Sequence, residues 1–182
     1  MTATTPNRRV FLIGFMGAGK TSAGKAVARR LGWNFCDLDE MIEEHEHKKV
    51  AAIFAECGED RFRAMESAAL RDLLKKATGE WIIALGGGTF VQPANRAALV
   101  EAGAITILLE ADLEEIERRC RADGETRPLA QDSNKLRELF ENRREAYSKA
   151  QFRIETTGKS VDAVSAEICE LLDSVQNREA MP

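Results

Sequence analysis

The 182 residues fit one domain, and a 44% share of hydrophobic residues is enough to bury a full core. Lys and Arg number 26 against 30 Asp and Glu, a net charge of −4, which argues against a nucleic-acid binder because that class carries a basic excess or stripe. No apolar run approaches the roughly 20 residues of a membrane span, and the opening MTATTPNRRV lacks the apolar stretch of a signal peptide, so a cytoplasmic protein is expected.

Short apolar runs at 10–13, 35–38, 81–85, 105–109 and 152–154 alternate with longer stretches of helical period, a pattern that predicts a parallel sheet covered by helices. The first run leads into Gly14-Phe15-Met16-Gly17-Ala18-Gly19-Lys20-Thr21, which fits G-x-x-x-x-G-K-[ST]. A helical pattern follows, with Ala23, Ala26, Val27 and Leu31 facing inward and Gly32 closing it. Strand, glycine loop and helix in that order make a phosphate cradle. The glycines let backbone N–H groups point at the phosphates, and the helix start adds unpaired donors and a positive dipole end. Lys20 would reach the β- and γ-phosphates of a nucleotide and Thr21 would give an oxygen to Mg²⁺. The chain has no N-K-x-D guanine reader, and its size suits a small-molecule kinase using ATP.

Asp37 and Asp39 follow the second run. At i and i+2 on an extended end both would project the same way, toward the ligand crevice at the carboxyl ends of the strands. One would hold Mg²⁺ through water and the other would orient or deprotonate an attacking hydroxyl. Alternatively, Asp39 caps a helix starting near Glu40.

Residues from about 39 to 76 carry helical patterns broken at Gly58, with no strong strand, and suggest a substrate-binding insertion. His45 and His47 face apart on a helix, so EEHEHKK reads as a solvated face rather than a metal pair. Along 62–73 the apolar stripe includes Glu66, with Arg63 beside it; along 136–147 one face includes Arg143, while Arg144 points away. Charges so placed need partners. Arg63 and Arg143 would form a clamp for a carboxylate, with Glu66 steadying one of them; alternatively they belong to structural ion pairs with acidic residues, or reach out to solvent.

Gly86-Gly87-Gly88 ends the third run, either to let backbone approach a ligand or as a plain tight turn. Residues from about 119 to 133 are polar and read as a flap, in which Arg127 would swing over the γ-phosphate or remain an ordinary loop arginine. The final helix should turn Val161, Val164, Ile168, Leu171, Leu172 and Val175 to one face. Cys36, Cys57, Cys120 and Cys169 match no zinc spacing and are expected as reduced, inert thiols.

GFMGAGKT at 14–21, D-L-D at 37–39, F-R-x-x-E at 62–66, GGG at 86–88, R-P-L at 127–129 and R-x-x-x-Y at 143–147, taken in this order and spacing, resemble the shikimate kinase family along nearly the whole chain. The resemblance implies a three-layer α/β/α fold like that of nucleoside monophosphate kinases, with a five-stranded parallel sheet in the order 2-3-1-4-5. The whole chain would be a single domain, 39–76 binding the acceptor and 119–133 acting as lid. It implies transfer of the γ-phosphoryl group of ATP to the 3-hydroxyl of shikimate, in aromatic amino-acid biosynthesis. Gly17, Ala18, Gly19, Lys20, Thr21 and Ser22 would bind the phosphates, with Thr21 and Asp37 at the metal. Asp39 would bind the ring hydroxyls and orient the one that attacks. Arg63 and Arg143 would hold the carboxylate, and the turn Gly86, Gly87, Gly88 would contact the substrate through Gly87. Arg127 would be the lid arginine, and Arg119 the arginine near adenine, with Arg118 and Arg121 as alternatives. A monomer is expected, since no long apolar seam stands out. The rival readings are another small-molecule kinase, such as a gluconate kinase, and a binding module without catalysis.

Overall fold

The computed structural model describes residues 7–122 and 133–179. Five strands form one all-parallel sheet in the order β2-β3-β1-β4-β5: β1 (Arg9–Ile13), β2 (Asn34–Asp37), β3 (Trp81–Ala84), β4 (Ile105–Glu110) and β5 (Phe152–Glu155). Between and after them run α1 (Lys20–Leu31), α2 (Leu38–Glu46), α3 (Val50–Lys76), α4 (Pro93–Glu101), α5 (Leu113–Ala122), α6 (Ser133–Tyr147) and α7 (Val161–Glu179). The strand order is the one the family resemblance implies, and the parallel sheet with its covering helices is the one the apolar pattern predicts.

Successive side chains of a strand point to opposite faces, so runs that are apolar throughout feed two cores. Phe11, Ile13, Ile83 and Leu108 pack on the side of α3 and α6, with Leu70 and Leu136. Val10, Leu12, Ile82, Ile107 and Leu109 pack on the other side, with Ala23 and Val27 of α1 and Val164, Ile168 and Leu172 of α7. Val161 departs from the predicted stripe. As the first residue of α7 it is exposed, and burial begins one turn later at Val164. Gly32 ends α1 with φ 70°, its N–H donating to the Ala28 carbonyl as expected of a closing glycine.

The second strand ends one residue earlier than the apolar run. Leu38 is the first residue of α2, and Asp37 is its N-cap, accepting from the backbone N–H groups of Asp39 and Glu40 through its side chain. Asp39 is therefore neither the cap nor part of an extended end. It lies in the first helical turn, and the expected shared direction of the two carboxylates does not hold. α3 breaks at Gly58 (φ 78°, ψ 170°), the position at which the sequence pattern breaks.

Candidate active site

The carboxyl ends of β1, β2 and β3 adjoin, because β1 and β2 both pair with β3. Three loops meet there: the phosphate loop after β1, the start of α2 after β2, and the triple-glycine turn after β3.

In the phosphate loop Gly17 has φ 74° and Gly19, the N-cap of α1, has φ 91°, conformations that side chains beyond glycine adopt at a cost. No side chain caps α1. Its first N–H groups thus face the loop, as an anion-binding helix start requires. Lys20 Nζ donates to the carbonyls of Gly14 and Phe15 at 2.9 and 3.0 Å and so lies back over the loop. The Thr21 hydroxyl donates to Asp37 Oδ2 at 2.6 Å, while Asp37 Oδ1 accepts from the Asp39 backbone N–H at 3.0 Å. One carboxylate thus joins α1 to α2 and brings two hard oxygen ligands together. This hydroxyl and carboxylate are the kind of donors Mg²⁺ takes alongside phosphate oxygens and water, so the residues fit that ion.

The triple-glycine turn makes room for charged side chains. A Cβ on Gly86 would lie 2.5 Å from Asp39 Oδ1 and 2.6 Å from Glu66 Oε1. One on Gly87 would lie 2.8 Å from Arg143 Nη1, and one on Gly88 would overlap the Arg63 guanidinium. None of the three has a positive φ, so space rather than conformation demands glycine here. Asp39 from α2, Arg63 and Glu66 from α3 and Arg143 from α6 thereby converge on one short turn. The Tyr147 hydroxyl donates to the Gly87 carbonyl at 2.6 Å and pins that turn to α6. Burial pushes the Tyr147 phenol above its usual range, against the pull of Arg143 and Arg63, which keeps it a donor.

Glu66 is buried and fully engaged. Its Oε2 accepts from Arg63 Nη1 at 2.6 Å and its Oε1 accepts from the Thr89 hydroxyl at 2.6 Å. The Arg63 guanidinium also lies 5.5 and 5.7 Å from the ring centres of Phe54 and Phe62. Burial opposes the charge of Arg63, yet Glu66 and Glu59 together hold its pKa above the ordinary arginine value. Arg143 lies 5.6 Å from the Phe15 ring centre, which places it beside the phosphate loop as well as the turn. Arg144 points outward, as its place on the helix predicts.

On the far side of the phosphate loop, Arg119 makes a four-way tie. It donates to Glu115 Oε1 at 2.8 Å, to the Gly17 carbonyl at 3.2 Å, to Thr156 Oγ1 at 3.3 Å and to the Thr156 carbonyl at 2.7 Å. A hydrogen bond from Arg118, with another from Arg119, holds the Glu115 carboxyl down at about 2. Arg118 and Arg121 pair with glutamates of their own helix and stay exposed, so of the three candidates Arg119 alone touches the phosphate loop. Arg127 and Gly124, with Pro128 and Leu129, lie outside the described residues.

Thr89 and Thr156, both fully buried, belong to this site, and the sequence reading missed them. No periodicity marks Thr89; its position directly after three glycines is the only signal it carries. All four cysteines are free thiols, and burial, with Asp37 and Glu40 nearby, pushes Cys36 up to about 11, consistent with an inert thiol. Among the described residues no group of three or more His, Cys, Asp or Glu could hold a metal, and no helix is long and apolar enough to cross a membrane.

The family model described as shikimate kinase matches residues 16–173. The chain belongs to the shikimate kinase family. It is thus an ATP-dependent phosphotransferase. The shikimate kinase of Geobacter metallireducens is 40% identical over 176 residues, covering 95% of this chain and 96% of the relative. That of Geobacter sulfurreducens is 43% identical over 171 residues, covering 92% of each. Among solved structures, shikimate kinase from Acinetobacter baumannii in complex with shikimate superposes with a TM-score of 0.84 at 32% identity, covering 92% of this chain and 94% of that one. A gluconokinase from Sinorhizobium meliloti reaches a TM-score of 0.61 at 15% identity over 96% of this chain and 98% of its own, a likeness of fold alone.

Proposed function

We infer that this chain transfers the γ-phosphoryl group of ATP to the 3-hydroxyl of shikimate, giving ADP and shikimate 3-phosphate for aromatic amino-acid biosynthesis. The observation that carries this reading is the gathering of Asp39, Arg63, Glu66 and Arg143 around the triple-glycine turn, one strand away from the phosphate loop. Two arginines suit a carboxylate, and a carboxylate suits ring hydroxyls. An acceptor that is both an acid and a polyol matches that set.

In this reading Gly17 to Ser22 hold the phosphates, with Lys20 leaving the loop carbonyls for the β- and γ-phosphates. Thr21, and Asp37 through water, hold Mg²⁺, which when bound neutralises charge on the phosphates. Asp39 orients the attacking hydroxyl and accepts its proton, while Arg63, Arg143 and the backbone at Gly87 fix the ring. Arg119, which bonds the Gly17 carbonyl of the phosphate loop, meets the nucleotide base in this reading. Arg127, from the lid at 119–133, closes over the γ-phosphate and helps keep water out. In this reading the enzyme acts as a monomer in the cytoplasm, where ATP is supplied.

The test is ADP release with ATP and Mg²⁺, comparing shikimate, gluconate and no acceptor, with the product weighed. Release that requires shikimate, with a mass gain of one phosphate, is expected. Release that gluconate supports and shikimate does not would overturn the reading.

Gly88→Ala probes the clamp without touching a charge. Its methyl group would displace the Arg63 guanidinium. Loss of a charge-assisted contact raises the KM for shikimate by about tenfold or more, with the KM for ATP little changed. An unchanged shikimate KM in a folded variant would put Arg63 outside the acceptor site.

A further inference from the structure

Arg63 already holds two carboxylates. Besides Glu66, Glu59 Oε1 accepts from Arg63 Nε at 3.3 Å and from Nη2 at 3.0 Å. Their exposures differ sharply: the side chain of Glu66 is 1% exposed, that of Arg63 15%, and that of Glu59 66%. Glu66 is also fixed by Thr89, while Glu59 sits directly after the backbone break at Gly58 and has one face in solvent.

A guanidinium has five N–H donors. Glu59 uses Nε and one donor of Nη2, and Glu66 uses one of Nη1. Two donors remain, one on each terminal nitrogen. A ligand carboxylate can therefore take the bidentate Nε/Nη2 edge only by displacing Glu59. If Glu59 stays in place, an arriving carboxylate meets a cation that two anions already surround, and like charges repel. Both routes have the same sign: the charge of Glu59 works against binding of an acid.

We propose that Glu59 is a built-in competitor for the acceptor's carboxylate, a specificity-determining residue that occupies Arg63 and sets how tightly an acidic acceptor binds. The inference rests on the reading above that Arg63 binds the acceptor's carboxylate. Glu66 cannot play this part, because its burial and its bond to Thr89 hold it in place. Glu59 can leave into water at little cost, since exposed pairs of this kind are weak.

Glu59→Gln keeps the shape of the side chain and removes its charge at an exposed position. The KM for shikimate should fall by roughly two- to fivefold, the span of an exposed ion pair. The KM for the methyl ester of shikimate, which has no carboxylate charge, should stay unchanged, as should the KM for ATP. A merely structural role would move acid and ester together. An unchanged or raised KM for the acid, or equal shifts for acid and ester, would overturn the proposal. Arg63→Lys, measured beside it, separates the two layers. If it weakens the acid by more than the ester and Glu59→Gln does not discriminate, only the competitor role fails. If Arg63→Lys leaves the acid unaffected, the assignment of Arg63 to the carboxylate fails, and the competitor role with it.

Discussion

Lys20→Ala is expected to lower kcat by roughly a thousandfold, about 4 kcal/mol of barrier. The lysine is the one cation of the phosphate loop itself, and its Nζ already rests on the Gly14 and Phe15 carbonyls of that loop. Charge that builds on the transferred phosphoryl group must be met by cations and backbone N–H groups, since the reaction needs positioning and electrostatics rather than covalent help. Losing two part-buried hydrogen bonds should cost the fold only about 1 kcal/mol each. The variant should thus melt within several degrees of the parent while being nearly inactive. Steady-state turnover and a thermal melt on the same sample check this, and a kcat within tenfold of the parent would remove Lys20 from the chemistry.

Asp39→Asn carries the second large effect, and its two readouts should move apart. Turnover should drop by about 10²- to 10⁴-fold, the range for loss of a positioned general base. Stability should hold or rise. Asp39 Oδ1 and Glu66 Oε1 both crowd the space over Gly86, within about 5 Å of each other, and a neutral amide relieves that like-charge approach. The amide also leaves the helix cap intact, because the cap is Asp37. Activity lost together with stability would return Asp39 to a structural role; turnover that stays high would leave the acceptor hydroxyl without its assigned partner.

Asp37 and Asp39 show how a one-residue shift in an element boundary divides two roles. As neighbours on a strand end they would share a direction. With Leu38 opening α2, Asp37 turns to Thr21 and the phosphate loop, and Asp39 turns to the triple-glycine turn. The helix start is what parts two carboxylates that lie only two positions apart.

By itself the sequence determined the parts that depend on neighbours along the chain. Apolar runs of strand length, spaced by helical patterns, specified the parallel sheet and its covering helices. The phosphate loop was legible because its glycines, Lys20 and Thr21 lie within eight residues, and the break at Gly58 because a glycine interrupts a helical period. Glu66 stood out because a charge on an apolar stripe must find a partner. The partners were a matter for the tertiary structure. Whether Arg63 and Arg143 join in one clamp, pair separately with acidic residues or reach out to solvent stays open along the chain, since they lie 80 positions apart. Packing of α3 and α6 against the turn after β3 brings both to glycines that have no side chain to exclude them. Thr89 and Thr156 gave no periodic signal, and their roles arise only where Glu66 and Arg119 reach them across the fold. The contact between Glu59 and Arg63 spans one helical turn and so is local, but the competition proposed for it depends on the fold bringing Arg63 to the triple-glycine turn.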